Sequence, residues 1–191
     1  MSTSVQRLGH ATAAELQRHF LQLAPEDLRL RFGTPLAAEA IVAYVNRIDF
    51  DVDAVFGVYG DELELGGVAH LAFSDDMAEL GVSVLADQRG RGLGGALFAR
   101  AVEHARNRFV TRLFMHCLTE NALIMHLARK AGMAICIDAG EADAFLQLPP
   151  ANPASVAGEF VDQRLALLDY TLKAHVLTVK RVTAAFRAET P

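Results

Sequence analysis

The sequence predicts an α+β fold: a mixed, mostly antiparallel sheet flanked by helices, with a long helix at the C-terminal end. Three observations carry that expectation. Strand-like apolar runs outnumber helical segments at both ends of residues 1–148, and strand–helix alternation is confined to the middle. The stretch from Glu79 to Leu97 passes from a strand pattern into a helix pattern through a glycine-rich turn. After Pro149-Pro-Ala-Asn-Pro153 the periodicity becomes helical to the end of the chain.

In chain order, Gln6–His10 reads as a first strand. Thr12-Ala-Ala-Glu15 has the form of a capping box, and Leu16, Phe20 and Leu23 give the following helix its apolar face. Pro25 starts a second helix and residues 36–44 a third. Asp53–Tyr59 and Glu64–Phe73 form a hairpin about Gly60-Asp-Glu, and Asp75-Asp-Met turns the chain into the strand beginning at Glu79. The helix over 93–108 is followed by a strand at Arg112–Leu118. A helix over 122–131 then turns Leu123, Ile124, Leu127 and Ala131 inward. A closing hairpin, Met133–Ile137 with Ala144–Leu148, is built around Ala139–Asp143. Residues 1–148 are thus one domain, 149–153 a stiff linker and 154–191 an amphipathic helix.

Composition narrows the function. The chain of 191 residues is 52% apolar and 21% charged, an ordinary globular balance. A formal charge of −5 argues against a nucleic-acid partner. There is no apolar run of membrane-spanning length and no charged-then-apolar leader, so no membrane association is expected. Cys117 and Cys136 lie in apolar strand-like runs without metal-ligand spacing. They read as reduced core residues of a cytoplasmic protein that needs no metal.

The chemistry concentrates in Arg89-Gly-Arg-Gly-Leu-Gly-Gly95. A helix N-terminus carries unpaired N–H groups and about half a positive charge, so this turn is expected to hold a phosphate, aided by Arg89 and Arg91. Gly90, Gly92 and Gly95 fit the dinucleotide fingerprint, but that fold places the fingerprint early and follows it with several strand–helix units. A P-loop is excluded because no Lys-Ser/Thr follows the glycines. The remaining pattern, Gln/Arg-x-x-Gly-x-Gly/Ala between a strand and a helix, is matched by Arg89, Gly92 and Gly94.

With Asn121-Ala-Leu-Ile-Met-His-Leu-Ala-Arg-Lys-Ala-Gly-Met133, this pattern resembles the GCN5-related N-acetyltransferase (GNAT) superfamily. The resemblance spans roughly residues 5–148 and is specific across 79–133. Asn121, Leu127, Lys130 and Gly132 fall in register, and Met133 replaces a phenylalanine. It implies acetyl-CoA as cosubstrate, its pyrophosphate cradled by Arg89, Gly90, Arg91, Gly92, Leu93, Gly94 and Gly95, with Asn121 on the pantetheine arm. It also implies that the backbone of Val82 and Val84 pairs with that arm like an added strand, the N–H near Val82 serving as oxyanion donor. Ala128 departs from the pattern, standing where many members carry a tyrosine that protonates the leaving thiolate. Leu28–Phe32 and Asp49-Phe-Asp51 are similar to segments of the bacterial protein-lysine acetyltransferase branch.

Glu79, at the head of the organising strand, matches that branch's general base. An amine acceptor with a pKa of about 10.4 arrives protonated, so a nearby carboxylate has a proton to remove; the plain alternative is a solvated strand-end glutamate. His70, His116 and His126 read as structural or surface residues. The expected activity is acetyl transfer from acetyl-CoA to a primary amine by direct attack; the alternative is a non-catalytic acyl-CoA sensor or partner-binding domain. Val161, Leu165, Leu168, Leu172, Val179, Val182 and Phe186 form one stripe on the last helix, expected to pair two copies as a homodimer or, alternatively, to dock in cis.

Overall fold

The structure, a computed structural model, describes residues 3–188, with side chains to 184. A seven-stranded sheet runs in the order β1-β2-β3-β4-β5-β7-β6. Its strands are β1 (Gln6–Leu8), β2 (Ala54–Tyr59), β3 (Leu65–Ser74), β4 (Met77–Val84), β5 (Arg112–Leu118), β6 (Ala134–Asp138) and β7 (Glu141–Gln147). Helices α1 (Ala13–Leu21), α2 (Pro25–Phe32) and α3 (Ala38–Asn46) precede β2. α4 (Leu93–Asn107) and α5 (Ala122–Lys130) follow β4 and β5, and α6 (Pro153–Ala188) ends the described chain. All neighbours are antiparallel except β4 and β5. The predicted fold class is the observed one.

β2 is buried along its whole length because it has helices on both faces. Ala54, Phe56 and Val58 turn toward α4, joining Leu71, Leu80, Leu97, Phe98 and Ala101 in one core. Val55 and Tyr59 turn the other way, joining Leu16, Phe20, Ile41 and Val45 from α1 and α3. Period-two alternation in one central strand thus serves two cores.

Several local expectations are corrected. β1 ends at Leu8, and His10 opens a 3₁₀ turn. Thr12 and Glu15 do not cap α1: Thr12 bonds back to Gly9 at 2.8 and 3.0 Å, and Glu15 accepts from the Tyr59 hydroxyl. The β6–β7 turn is two residues, Ala139 and Gly140, both with positive φ (44° and 93°), so pairing reaches Asp138↔Glu141. That geometry suits the twist of a tight hairpin. Cys136 is exposed on the edge strand while Cys117 is buried. Leu123 is 63% exposed, and Met125 and Ala128 take its place inward on α5.

α6 begins at Pro153, which occupies its first turn where a missing N–H costs nothing. Instead of projecting away, it lies along α4 and β1. Its inner face carries Glu159, Ala166, Tyr170, Lys173 and Leu177. Ala166 and Leu177 are buried, the Tyr170 and Tyr59 rings lie 4.9 Å apart, and Lys173 Nζ donates to the Tyr59 carbonyl at 3.0 Å. The expected apolar stripe is the other face: Val161, Leu165, Leu168, Leu172, Val179 and Val182 are 49–66% exposed. The Phe186 side chain falls outside the described residues.

Candidate active site

The ladder between β4 and β5 is short. It runs Met77↔Arg112, Ala78↔Leu113, Glu79↔Phe114 and stops, although both strands continue. β5 remains paired to β7 throughout, so the sheet opens as a wedge between β4 and β5. Leu85 N–H donates to Gly66 O at 2.9 Å, which fixes the hydrogen-bonding phase of β4 against β3. Alternation then turns the C=O of Leu80 and the N–H and C=O groups of Val82 and Val84 away from β3, into the wedge, while the Leu80 N–H closes the last β4–β5 bridge. An extended ligand arm finds a row of backbone donors and acceptors there.

Beyond Val84 the chain makes the glycine turn. Gly90 and Gly92 have φ of 74° and 80°, the left-handed region that an L side chain adopts only with strain. Gly92 is the N-cap of α4 and supplies no side-chain cap. Helix geometry leaves the N–H groups of Leu93, Gly94 and Gly95 without intrahelical acceptors. A Cβ added at Gly90, Gly92 or Gly95 meets nothing within 4 Å, so the space before the helix end is open. The arrangement suits a phosphate group.

One cavity of about 670 Å³ joins these features. Val82, Ser83, Val84, Arg89, Gly90, Gly92–Gly95 and Asn121 all line it. Two expected residues do not. Arg91 is exposed and donates to Gln88 Oε1 at 2.6 Å, and Glu79 lies at the apex of the wedge, exposed and on the sheet face toward α1–α3. Asn121 caps α5 by accepting from Ile124 N–H at 3.2 Å, while its amide donates to Leu30 O at 3.2 Å. Ala128 is wholly buried in the core behind α5 and offers the cavity no acid.

α2 forms the opposite wall and is tied across the cavity at both ends. Asp27 pairs with Arg89 at 2.6 Å, and Arg29 pairs with Glu120 at 2.7 Å. These ties join residues far apart in sequence, so no local motif announces them.

A polar cluster lies beside Glu79, on the same face of the sheet. His70, directly opposite Gly81, places Nε2 3.1 Å from Asp53 Oδ2 and Nδ1 2.6 Å from the Tyr44 hydroxyl. Only the carboxylate is a pure acceptor, so Nε2 donates to Asp53 and Nδ1 of the neutral ring accepts from Tyr44. Burial lowers the His70 pKa, opposed by the bond to Asp53. Burial raises that of Tyr44, opposed by the charge of Arg31. Arg31 Nη2 reaches the Tyr44 oxygen at 3.4 Å. Sequence reading treated His70 as structural and missed Tyr44, Asp53 and Arg31, although Arg31 lies in the Leu28–Phe32 segment singled out above.

Deeper still, His19 is fully buried. Its Nδ1–H donates to Leu65 O at 2.7 Å, and Nε2 accepts from the Ser83 hydroxyl at 2.8 Å. Burial pushes its pKa down to about 4, so the ring is neutral near pH 7 and pins Ser83 at the cavity wall.

Comparisons with known proteins agree with this geometry. No curated protein sequence matches the chain. The GNAT domain of S. lividans PAT superposes with a TM-score of 0.65 at 20% identity, covering 75% of this chain and 89% of that one. A ribosomal-protein-alanine N-acetyltransferase from Brucella melitensis gives 0.59 at 21% identity, covering 75% and 99%. A phosphinothricin acetyltransferase from Sinorhizobium meliloti, solved in complex with AcCoA, gives 0.63 at 14% identity, covering 80% and 95%. The model of the acetyltransferase (GNAT) family matches residues 20–133, more than half the chain and the whole of the wedge, glycine turn and α5, and the chain therefore belongs to the GNAT acetyltransferase family.

Proposed function

We propose that the protein transfers the acetyl group of acetyl-CoA to a primary amine by direct attack, with Glu79 as general base. One observation carries the reading: the free edge of β4 leads through the Gly90–Gly92 turn to the α4 N-terminus along a single cavity. Bound acetyl-CoA supplies an activated acyl carbon. The N–H groups of Leu93, Gly94 and Gly95, with Arg89, hold the pyrophosphate. Backbone groups of Val82 and Val84 pair with the pantetheine arm, and the Val82 N–H polarises the acyl oxygen. Glu79, at the wedge apex, takes the amine proton directly or through a water. Gly90 lines the cavity and shapes the turn, Arg91 contributes field from outside the cavity wall, and Asn121 serves the arm while it caps α5.

A non-catalytic acyl-CoA sensor is the competing reading, favoured by the buried Ala128 at the position of the family's thiolate-protonating tyrosine. Acetyl-CoA turnover with a broad amine panel separates the two. Amine-dependent thiol release supports the enzyme; tight binding without release on every amine supports the sensor.

The half-exposed stripe Val161, Leu165, Leu168, Leu172, Val179, Val182 supports a homodimer through α6, since a patch of this length left in water is an aggregation liability. Two cysteines free of disulfide support a cytoplasmic setting. Among the described residues no helix is long and apolar enough to cross a membrane.

A further inference from the structure

The cavity carries more cations than anions: Asp27 and Glu120 against Arg31, Arg89 and Lys130, the last of them exposed. Its two lining carboxylates are both neutralised, Asp27 by Arg89 at 2.6 Å and Glu120 by Arg29 at 2.7 Å. Its two lining arginines differ: Arg89 has Asp27, whereas Arg31 has no carboxylate within ion-pair distance among the described residues. The neighbours of Arg31 are a neutral phenol at 3.4 Å and the Phe32 ring, 4.8 Å from the guanidinium carbon. Its Nε–H is buried without any partner. A partly buried guanidinium with an orphaned donor is costly unless something arrives to match it.

Its position says where that something sits. The guanidinium sits against β4 at Gly81, where an added Cβ would overlap it. Gly81 and Glu79 are two residues apart on the same strand face, a step of about 7 Å. An acceptor that carries a carboxylate close to its amine matches a carboxylate and a guanidinium set this near each other.

We propose that Arg31 is an anion site for the acceptor, and that the acceptor is a small α-amino acid or close analogue, its amine at Glu79 and its carboxylate on the Arg31 fork. The assignment rests on the acetyltransferase reading and narrows it. Arginine presents two parallel donors that match a carboxylate. The neutral amine attacks the thioester carbon, the C–N bond forms and the C–S bond breaks. The proton that Glu79 first takes from the ammonium passes to solvent, and the second proton, shed by the nitrogen as the amide forms, goes to the departing thiolate.

The test uses the full chain, acetyl-CoA and a panel of α-amino acids, each paired with its α-carboxamide. The expected result is a kcat/KM at least tenfold higher for acids than for amides. Arg31→Gln is expected to lower kcat/KM for the acids by about 10²-fold, chiefly through KM, with amides and acetyl-CoA affinity little changed. Arg31→Lys restores part of the loss. Gly81→Ala keeps the cation but displaces it, and is expected to reproduce the Arg31→Gln pattern. Amides used as well as acids, or equal losses on both in Arg31→Gln, would overturn the assignment while leaving the acetyltransferase intact. If the parent turns over no member of the panel, calorimetric titration of the same compounds into the CoA-saturated protein decides. Carboxylate-dependent binding abolished by Arg31→Gln upholds the anion site; no binding overturns the anion site and leaves the acetyltransferase reading to the broad amine panel.

Discussion

Glu159 is the polar anchor of α6, and removing it should loosen the helix from the domain. Its carboxylate accepts from His104 Nδ1 at 2.5 Å and from Asn107 Nδ2 at 2.7 Å, and forms an ion pair with Arg100, whose Nη1 lies 3.1 Å away. His104 Nε2 faces Arg7 Nη1 at 2.9 Å, and arginine only donates, so that nitrogen accepts and the ring is neutral. The Arg100 and His104 side chains are 6% and 9% exposed, so neither finds water when the anion is deleted. Breaking a buried charge pair from one side costs about 3–5 kcal/mol. The 16% exposure of Glu159 places Glu159→Ala at the lower end, about 3 kcal/mol, which for a chain of this size lowers Tm by roughly 6–12 °C. The pH dependence has a definite sign. Burial alone would raise the Glu159 pKa, but the hydrogen bonds from His104 and Asn107 and the charge of Arg100 outweigh it and hold it at about 2, against 4.5 when free. Its contribution is therefore complete above pH 4.5 and is lost as pH falls toward 2. Calorimetry of parent and Glu159→Ala across pH 3–8 reads both effects. A Tm within about 2 °C of the parent at neutral pH would refute the anchoring role.

Other outcomes follow from the same contacts. Gly92→Val forces a branched side chain into left-handed backbone at the mouth of α4, so acetyl-CoA affinity by calorimetry should fall at least tenfold; unchanged affinity in a folded variant would remove the turn from the site. His19→Ala orphans Leu65 O and Ser83 in a fully buried position and should cost about 2–4 kcal/mol in urea unfolding. Because His19 resists protonation down to about pH 4 while the unfolded ring takes its proton near 6.5, the parent should lose stability as pH falls through that window, and His19→Ala should flatten the loss. Leu168→Glu with Leu172→Glu places charge on the exposed face of α6 without touching Ala166 or Leu177. Light scattering should show a dimer becoming a monomer, and an unchanged mass would exclude that face as the interface.

The wedge and turn were legible because their signals are local. A strand, five glycines and two arginines within some twenty residues leave few alternatives for the backbone, and the left-handed φ at Gly90 and Gly92 is the reason those residues are glycine. The α6 cis face was illegible for the opposite reason. It packs through Glu159, Ala166, Tyr170 and Lys173, which hydropathy scores as polar or small, while the leucines it displays pointed to the other side. Leu123 misled in the same way: α5 turns Met125 and Ala128 to the sheet, leaving the larger apolar residue at the cavity. The Asp53–His70–Tyr44–Arg31 cluster gathers one residue each from the β2 approach, β3, α3 and α2. Only tertiary register brings them together. Glu79 was expected at the head of its strand; β4 in fact begins at Met77, and β5 leaves the ladder at Glu79.

The most direct test of the central claim is a pair of measurements on Glu79→Gln: calorimetric acetyl-CoA affinity and turnover of the best acceptor from pH 6 to 9. The account predicts parental affinity with turnover lowered about 10²–10⁴-fold and the acidic limb of the pH–rate profile lost. Parental turnover across that range would contradict it.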